Sequence, residues 1–367
     1  MEHKTLREKN KDRRKRRISG KKTLLLLCLL PCLLFGCAKA PGINTESEES
    51  QGDKLLEAGS YQEAADLYQQ KIDGGEGSEE NYRRLGIAWM GLGDYNKAAA
   101  AFETALSEAG IVPGDTEYDI NYYLGSCYDK LGDYEAALKV YDAIVTLRPK
   151  DADAIELRGA VKMQMGDTDG MQEDFSKAIA LEPSNYDRLL SVYSAMSQNG
   201  YDTEGKVYLQ NALDKYSDSM SSYDRGRIAY YVGDYETART NLEQMQSNTD
   251  EKVVLMLGRT YEALGDFNYA TNVYKTFLSS DSMHPEVYNQ LGLCCMKMEA
   301  YDAALEAFQN GKKLGAAECL QSLSFNEIVA YEHLGDFEQA KALMDTYLAS
   351  YPGDEKAKRE QVFLSTR

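Results

Sequence analysis

Apolar and polar positions along this chain follow a helical rhythm that restarts at regular intervals. In the stretch 117–149, EYDINYYLGSCYDKLGDYEAALKVYDAIVTLRP, the residues Tyr134, Ala137, Tyr141 and Ile144 lie three, four and three apart. That spacing puts side chains on one face of a helix. Gly125 and Tyr128 belong to a second periodic segment upstream of Gly132. Two helices joined by a short turn are therefore predicted, the first carrying Gly125 and the second Ala137. Small residues at these points are expected to let the backbones approach while aromatic rings fill the space on either side. Pro149 cannot continue the second helix, and Pro183 and Pro352 stand at equivalent places.

The same arrangement returns around Gly93, with Gly86, Trp89, Tyr95, Ala98 and Phe102, and around Gly265, with Gly258, Tyr261, Phe267, Ala270 and Tyr274. Aligned on that turn residue, the anchors are Gly59, Gly93, Gly132, Gly166, Gly200, Gly233, Gly265, Glu299 and Gly335, at spacings of 34, 39, 34, 34, 33, 32, 34 and 36. The long spacing comes from an insertion in 107–119, expected as a loop at one edge of a stack. Units five and eight depart most: Tyr193 replaces the first-helix glycine, and Glu299-Ala300-Tyr301 replaces Gly-Asp-Tyr.

Within the recurring Gly-Asp-aromatic motif every member has a packing role. The glycine supplies backbone angles that other residues avoid. The aspartate caps the second helix by accepting from its free amides, and the aromatic packs between the helices. Several positions recurring together at this period resemble the tetratricopeptide repeat, over about 51–352. The resemblance implies an all-α fold, an α-solenoid of about nine helix–turn–helix units forming a right-handed superhelix. It also implies an inner wall built from the first helix of each pair, with ligands touching positions 2, 5, 9, 12 and 13 when the turn glycine is counted as 15. Carried onto this chain, those slots include Arg83, Tyr122, Ser126, Asp129, Tyr223, Arg227, Tyr230, Arg259, Glu262, Asn289 and Met296. The Lys/Asn clamp that some relatives use for a terminal carboxylate is absent. Tyr223, Arg227 and Tyr230 share one helical face, and Arg259 holds in unit seven the slot of Arg227 in unit six. Tyrosine and arginine often carry interface energy, so these four form a candidate polar or anionic anchoring point. The competing expectation is that the arginines pair with neighbouring acids such as Asp224 and Glu262.

Charge divides the chain. Residues 1–36 hold 11 basic and 3 acidic side chains, leaving 41 − 11 = 30 basic and 59 − 3 = 56 acidic elsewhere, a net −26. So acidic a body does not suit a nucleic-acid backbone. The leader runs from a basic segment into the apolar stretch 23–36, TLLLLCLLPCLLFG, too short to span hydrocarbon and ordered like a secretory signal. LLFGC resembles a bacterial lipobox, with Phe35 in a slot that usually holds a small residue. The resemblance implies cleavage before Cys37 and its lipidation, giving a signal peptide over 1–36 and a tether over 37–50. A repeat array over 51–352 and a charged C-terminal capping helix over 353–367 follow. The expected location is the extracytoplasmic face of a cell membrane, held by lipid.

Chemistry is sparse. Beyond the leader the histidines are His284 and His333, expected at a loop and a solvated helix end. Cys127, Cys294, Cys295 and Cys319 form no C-x-x-C pair, and buried free thiols are expected. No nucleophile elbow, zinc-helix motif, phosphate loop or dinucleotide fingerprint occurs. Neither DGGEG (73–77) nor GDTDG (166–170) has the frame of a phosphate or calcium loop. No cofactor, metal or catalytic residue is expected. The expected function is a membrane-anchored scaffold binding a protein or peptide, with a role in envelope assembly. The alternative is a solute- or glycan-binding lipoprotein that uses the same groove.

Overall fold

The computed structural model describes residues 48–110, 113–245 and 250–367. The leader, Cys37 and most of the expected tether lie outside the described residues. The described residues form nineteen α-helices, one 3₁₀ turn and no strand. In chain order they are α1 (Glu48–Glu57), α2 (Tyr61–Asp73), α3 (Glu79–Gly91), α4 (Tyr95–Glu108), α5 (Asp115–Leu131), α6 (Tyr134–Leu147), α7 (Ala152–Gln164), α8 (Thr168–Leu181), α9 (Tyr186–Gln198) and α10 (Asp202–Tyr216). There follow α11 (Ser222–Val232), α12 (Tyr235–Glu243), α13 (Glu251–Ala263), α14 (Phe267–Ser280), α15 (Pro285–Lys297), α16 (Tyr301–Lys313), α17 (Ala317–Leu334), α18 (Phe337–Ser350) and α19 (Glu355–Leu364). α1 begins at Glu48, inside the stretch 37–50 expected to be a tether. No helix among the described residues is long and apolar enough to cross a membrane. The chain divides into two compact units, one ending at Leu181 and one running Glu182–Arg367.

Odd-numbered helices are the first members of pairs and even-numbered helices the second. All nine anchor residues have positive φ, including Glu299 at 58°, the one non-glycine with that conformation among the described residues. The left-handed residue reverses the chain and lets the next amides close on the first helix: Gly93 N–H donates to Met90 O at 3.0 Å and Asp94 N–H to Trp89 O at 2.9 Å. Aspartate then caps the second helix. Asp94, Asp133, Asp234, Asp266 and Asp336 each accept from the amide three residues on, and Asp167 does so from Gly170. Such a cap is worth about 1 kcal/mol.

The contact within each pair differs from close backbone approach. In units one to four, seven and eight the first-helix glycine is the seat of an aromatic ring from the second helix; in unit six Gly226 lies beneath Leu242 instead, and unit nine has Ile328 in the slot. A Cβ added at Gly258 would stand 2.2 Å from the Tyr274 ring, at Gly292 2.3 Å from Phe308, at Gly86 2.5 Å from Phe102 and at Gly125 2.6 Å from Tyr141. These rings are fully or almost fully buried. Unit five reverses the arrangement. Tyr193 on α9 occupies the glycine slot, and Gly205 stands on α10 where every other unit but the fourth has alanine; a Cβ there would be 3.1 Å from the Tyr193 ring. Leu209 fills the position of the missing second-helix ring.

In the unit ending at Leu181, successive pairs share small cores. Phe102 packs with Ile120, Leu124 and Cys127, and Tyr141 with Ile155 and Val161. A charge cluster joins α6, α7 and α8: Arg158 meets Asp142 at 2.8 Å and Asp174 at 2.6 Å, while Lys162 meets Asp174 at 2.8 Å. Asp174 is 1% exposed, so both cations are needed to compensate its buried charge. In Glu182–Arg367 one core runs from Leu242 through Tyr274 and Phe308 to Ala330. A second gathers Met344 and Tyr347 with Ala357 and Leu364 of α19.

The ring seat makes a signed prediction. Alanine in place of a mid-helix glycine ordinarily stabilises by about 1 kcal/mol, but overpacking a core costs about 1–3 kcal/mol. At Gly258 the second effect should dominate. Urea unfolding of Gly258→Ala is expected to show a net loss of about 1–2 kcal/mol; a gain would contradict the seat.

Candidate functional site

The side chains expected on the first-helix wall do not gather into one site. The structure distributes them as pairwise joints, most of them running from one first helix to the next. In the first compact unit, Arg83 on α3 donates through Nε to Asp119 on α5 at 3.0 Å and pairs with Glu80 at 3.3 Å. Its guanidinium also lies over the Tyr123 ring, 5.9 Å from the centroid. Burial alone would lower its pKa, but the hydrogen bond and charge of Asp119 raise it. Tyr122 on α5 donates to Asp151, the cap of α7, at 2.6 Å. Burial first, then that carboxylate, pushes the phenol upward. Ser126 is half-buried on α5. Asp129 is also half-buried, and desolvation raises its carboxyl against the opposing pull of Lys130.

In the second compact unit, Arg227 on α11 bridges to α9. It meets Asp187 at 2.6 Å and Asp224 at 2.7 Å, and lies over the Tyr223 ring at 5.2 Å. Tyr230 packs instead among aromatics, with its ring 5.3 Å from Tyr231 and 5.5 Å from Tyr235. Arg259 on α13 pairs with Glu286 on α15 at 3.1 Å, in place of the expected Glu262. Glu262 instead accepts from the Tyr274 hydroxyl at 2.7 Å, and burial raises its carboxyl. Asn289 is buried and accepts from Asn326 on α17 at 2.9 Å. Met296 is partly buried against the core. The guanidinium charge proposed for an anionic anchor is thus already met by carboxylates, two at Arg227 and one at Arg259.

A cavity of about 470 Å³ opens on the faces of α9 and α11, reaching Met256 on α13. Tyr223, Arg227 and Tyr231 line it from unit six, but most of its wall is unit five, including Leu190, Ser194, Ser197 and Gln198. Counted from Gly200, these four hold slots 5, 9, 12 and 13. The slot numbering that gives the other candidates reaches these four as well, in a unit whose glycine slot holds Tyr193.

The other candidates for chemistry have structural surroundings. Cys127, Cys294, Cys295 and Cys319 are free and buried. Burial pushes Cys127 and Cys294 up to about 12 and Cys319 up to about 11, so these thiols stay protonated. Among the described residues no group of three His, Cys, Asp or Glu side chains is placed to hold a metal. His333 is exposed and stacks on Tyr301 at 4.7 Å. His284 precedes α15 and closes a joint with α13. Its Nδ1 faces Glu251 at 3.3 Å, its Nε2 faces Asp281 at 3.1 Å, and its ring rests 4.7 Å from Phe277.

Models of a paired-helix repeat match parts of this chain. Residues 83–152 and 255–317 match one model described as tetratricopeptide repeat, and residues 325–354 match another. BBSome complex member BBS4 of Bos taurus is 20% identical over 275 residues, 74% of this chain and 52% of that protein. The chain spans about half the length of this curated relative. Among solved structures, MamA from Desulfovibrio magneticus RS-1 is 21% identical, covering 47% of this chain and 96% of that one with a TM-score of 0.40. Yeast Tom70 is 14% identical, covering 87% and 80% with a TM-score of 0.47.

The His284 joint carries a pH dependence. Burial alone would lower the imidazole's pKa, but hydrogen bonds to Asp281 and Glu251 outweigh it and raise the pKa above its ordinary value. The stabilisation is full below about pH 6.5, the ordinary imidazole value, and is lost as pH rises through the elevated one. The urea midpoint of the wild-type chain should therefore fall across that interval, and His284→Gln should flatten the fall. An unchanged slope in the variant would contradict the assignment.

Proposed function

We propose that this chain of tetratricopeptide repeats is a protein-interaction scaffold held at the extracytoplasmic face of a membrane, presenting its first-helix faces to a protein or peptide partner. The observation that carries the reading is the pairing between successive first helices or their caps: Arg83 with Asp119, Tyr122 with Asp151, Arg227 with Asp187, and Arg259 with Glu286. Side chains locked in this way give a surface that is ordered before a partner arrives, and preorganisation reduces the entropic cost of association. A net −26 beyond residue 36 favours a partner with a basic contact surface. The membrane part of the proposal rests on LLFGC and its cysteine, Cys37. The two acyl chains of a diacylglycerol on that thiol would give stable anchoring where one chain is marginal. The role is binding and positioning at the cell envelope, where assembly of larger complexes calls for such a surface.

Two measurements test the halves separately. Fractionation of cells expressing Cys37→Ser should move the chain from the membrane pellet to the soluble fraction; unchanged pelleting would remove the lipid anchor from the account. A photo-crosslinking residue placed at Ser126, on the wall, should capture a defined partner in intact membranes. The same probe at Val207, 54% exposed on the second helix α10, should not. Equal capture at both positions would contradict recognition by the first-helix face.

A further inference from the structure

The cavity at units five and six differs from the rest of the wall in both origin and chemistry. It lies where the ring seat is reversed: Tyr193, standing in the glycine slot of α9, lines the cavity and rests 5.6 Å from the Tyr231 ring. Its hydroxyl and that of Ser197 both donate to Asp202 of α10, at 2.9 and 3.0 Å, which fixes this edge. Next to it, Gln198 Nε2 donates to Ser194 Oγ at 2.9 Å. That bond leaves the Ser194 proton as a donor and the Gln198 carbonyl as an acceptor, both on exposed residues.

The lining restricts what can occupy the space. An anion finds no open cation, because Arg227 is already held by Asp187 and Asp224. A wholly apolar ligand would cover the serine hydroxyls and the glutamine amide without replacing their hydrogen bonds to water, at about 1–3 kcal/mol for each group left unmade. An extended chain is a poor match for a compact cavity whose polar groups come from two turns of one helix. Its volume of about 470 Å³ lies within the range of small-molecule sites. The floor at Leu190 and Met256 and the rings of Tyr223 and Tyr231 add apolar surface opposite the hydroxyls. A neutral ring rich in hydroxyl groups, with C–H faces that pack on tyrosine, satisfies all of these conditions.

We propose that the cavity between the α9 and α11 faces binds a short neutral saccharide, held by Ser194 and Gln198 on one side and by Tyr223 and Tyr231 on the other. This activity is additional to partner capture on the wall. It gives the scaffold a second ligand, so that it can hold a protein and a glycan on one chain. Arg227 and its two carboxylates form a positioning element, fixing α9 against α11 at the width the ring requires.

The test uses the full chain titrated with maltotriose, cellotriose and triacetylchitotriose, followed by saturation-transfer NMR and calorimetry. At least one of the three should bind saturably, with a Kd of about 1 mM or tighter. Ser194→Trp fills the cavity from an exposed position and should weaken that binding by about tenfold or more while leaving the unfolding midpoint unchanged. Gln198→Ala should weaken it to a smaller degree. The proposal is overturned if none of the three sugars binds at 10 mM, or if binding persists undiminished in folded Ser194→Trp. It is also overturned if Ser194→Trp abolishes capture of the protein partner while no sugar binds, which would assign the cavity to that partner.

Discussion

An aromatic ring seated on a bare helix backbone is the contact on which this architecture depends. At Gly86, Gly125, Gly258 and Gly292 a single added carbon would overlap the ring from the following helix. The ring therefore fixes both the separation of the two helices and their register. The turn residue with positive φ and the aspartate cap act next, closing the hairpin in the orientation that the seat requires. Where a ring is present its burial is a large apolar gain of the pair, so losing one seat should loosen the joint to the following pair as well.

With the pairs fixed, the first helices are free to use their remaining face for pairing across unit boundaries. Arg83, Tyr122, Arg227 and Arg259 each reach a carboxylate on an adjacent first helix or its cap. These bonds hold the wall in a defined arrangement and remove open positive charge from it. Unit five supplies Asp187 to one of these joints but departs within its own pair. There the ring has moved to the first helix and the glycine to the second, and the wall opens into a cavity lined by hydroxyls, an amide and tyrosines. Departures from a local rule that keep the fold are expected where function lies. The reversed seat at Tyr193 and Gly205 meets that description.

Much of the fold was legible because its determinants are local. The period, the turn glycines and Glu299 were read from spacing, as were the aspartate caps, since each acts within a few residues of its own position. The ring seat was only half legible. Gly125 and Tyr141 were identified as packing residues, but spacing does not reveal that one lies directly beneath the other. The reversal at Tyr193 looked like a weak repeat because its compensation, Gly205, sits on the other helix. The wall joints were the least legible. Arg83 and Asp119 are 36 residues apart and Arg227 and Asp187 are 40 apart, so each carboxylate is chosen by stacking of the pairs. Arg259 shows the same limit: Glu262 lies one turn away on its own helix, yet the bond goes to Glu286.

The central claim is that ring and glycine form a coupled unit, and a double-mutant cycle at Gly292 and Phe308 measures that coupling directly. Gly292→Ala should destabilise by forcing a carbon into the ring, and Phe308→Ala by leaving a cavity. The double substitution should cost less than their sum, because the new methyl group occupies space the ring has vacated. Urea unfolding is expected to give a coupling energy of about 1 kcal/mol or more. Costs that add within about 0.5 kcal/mol would show that the two positions contribute independently, and would contradict the account.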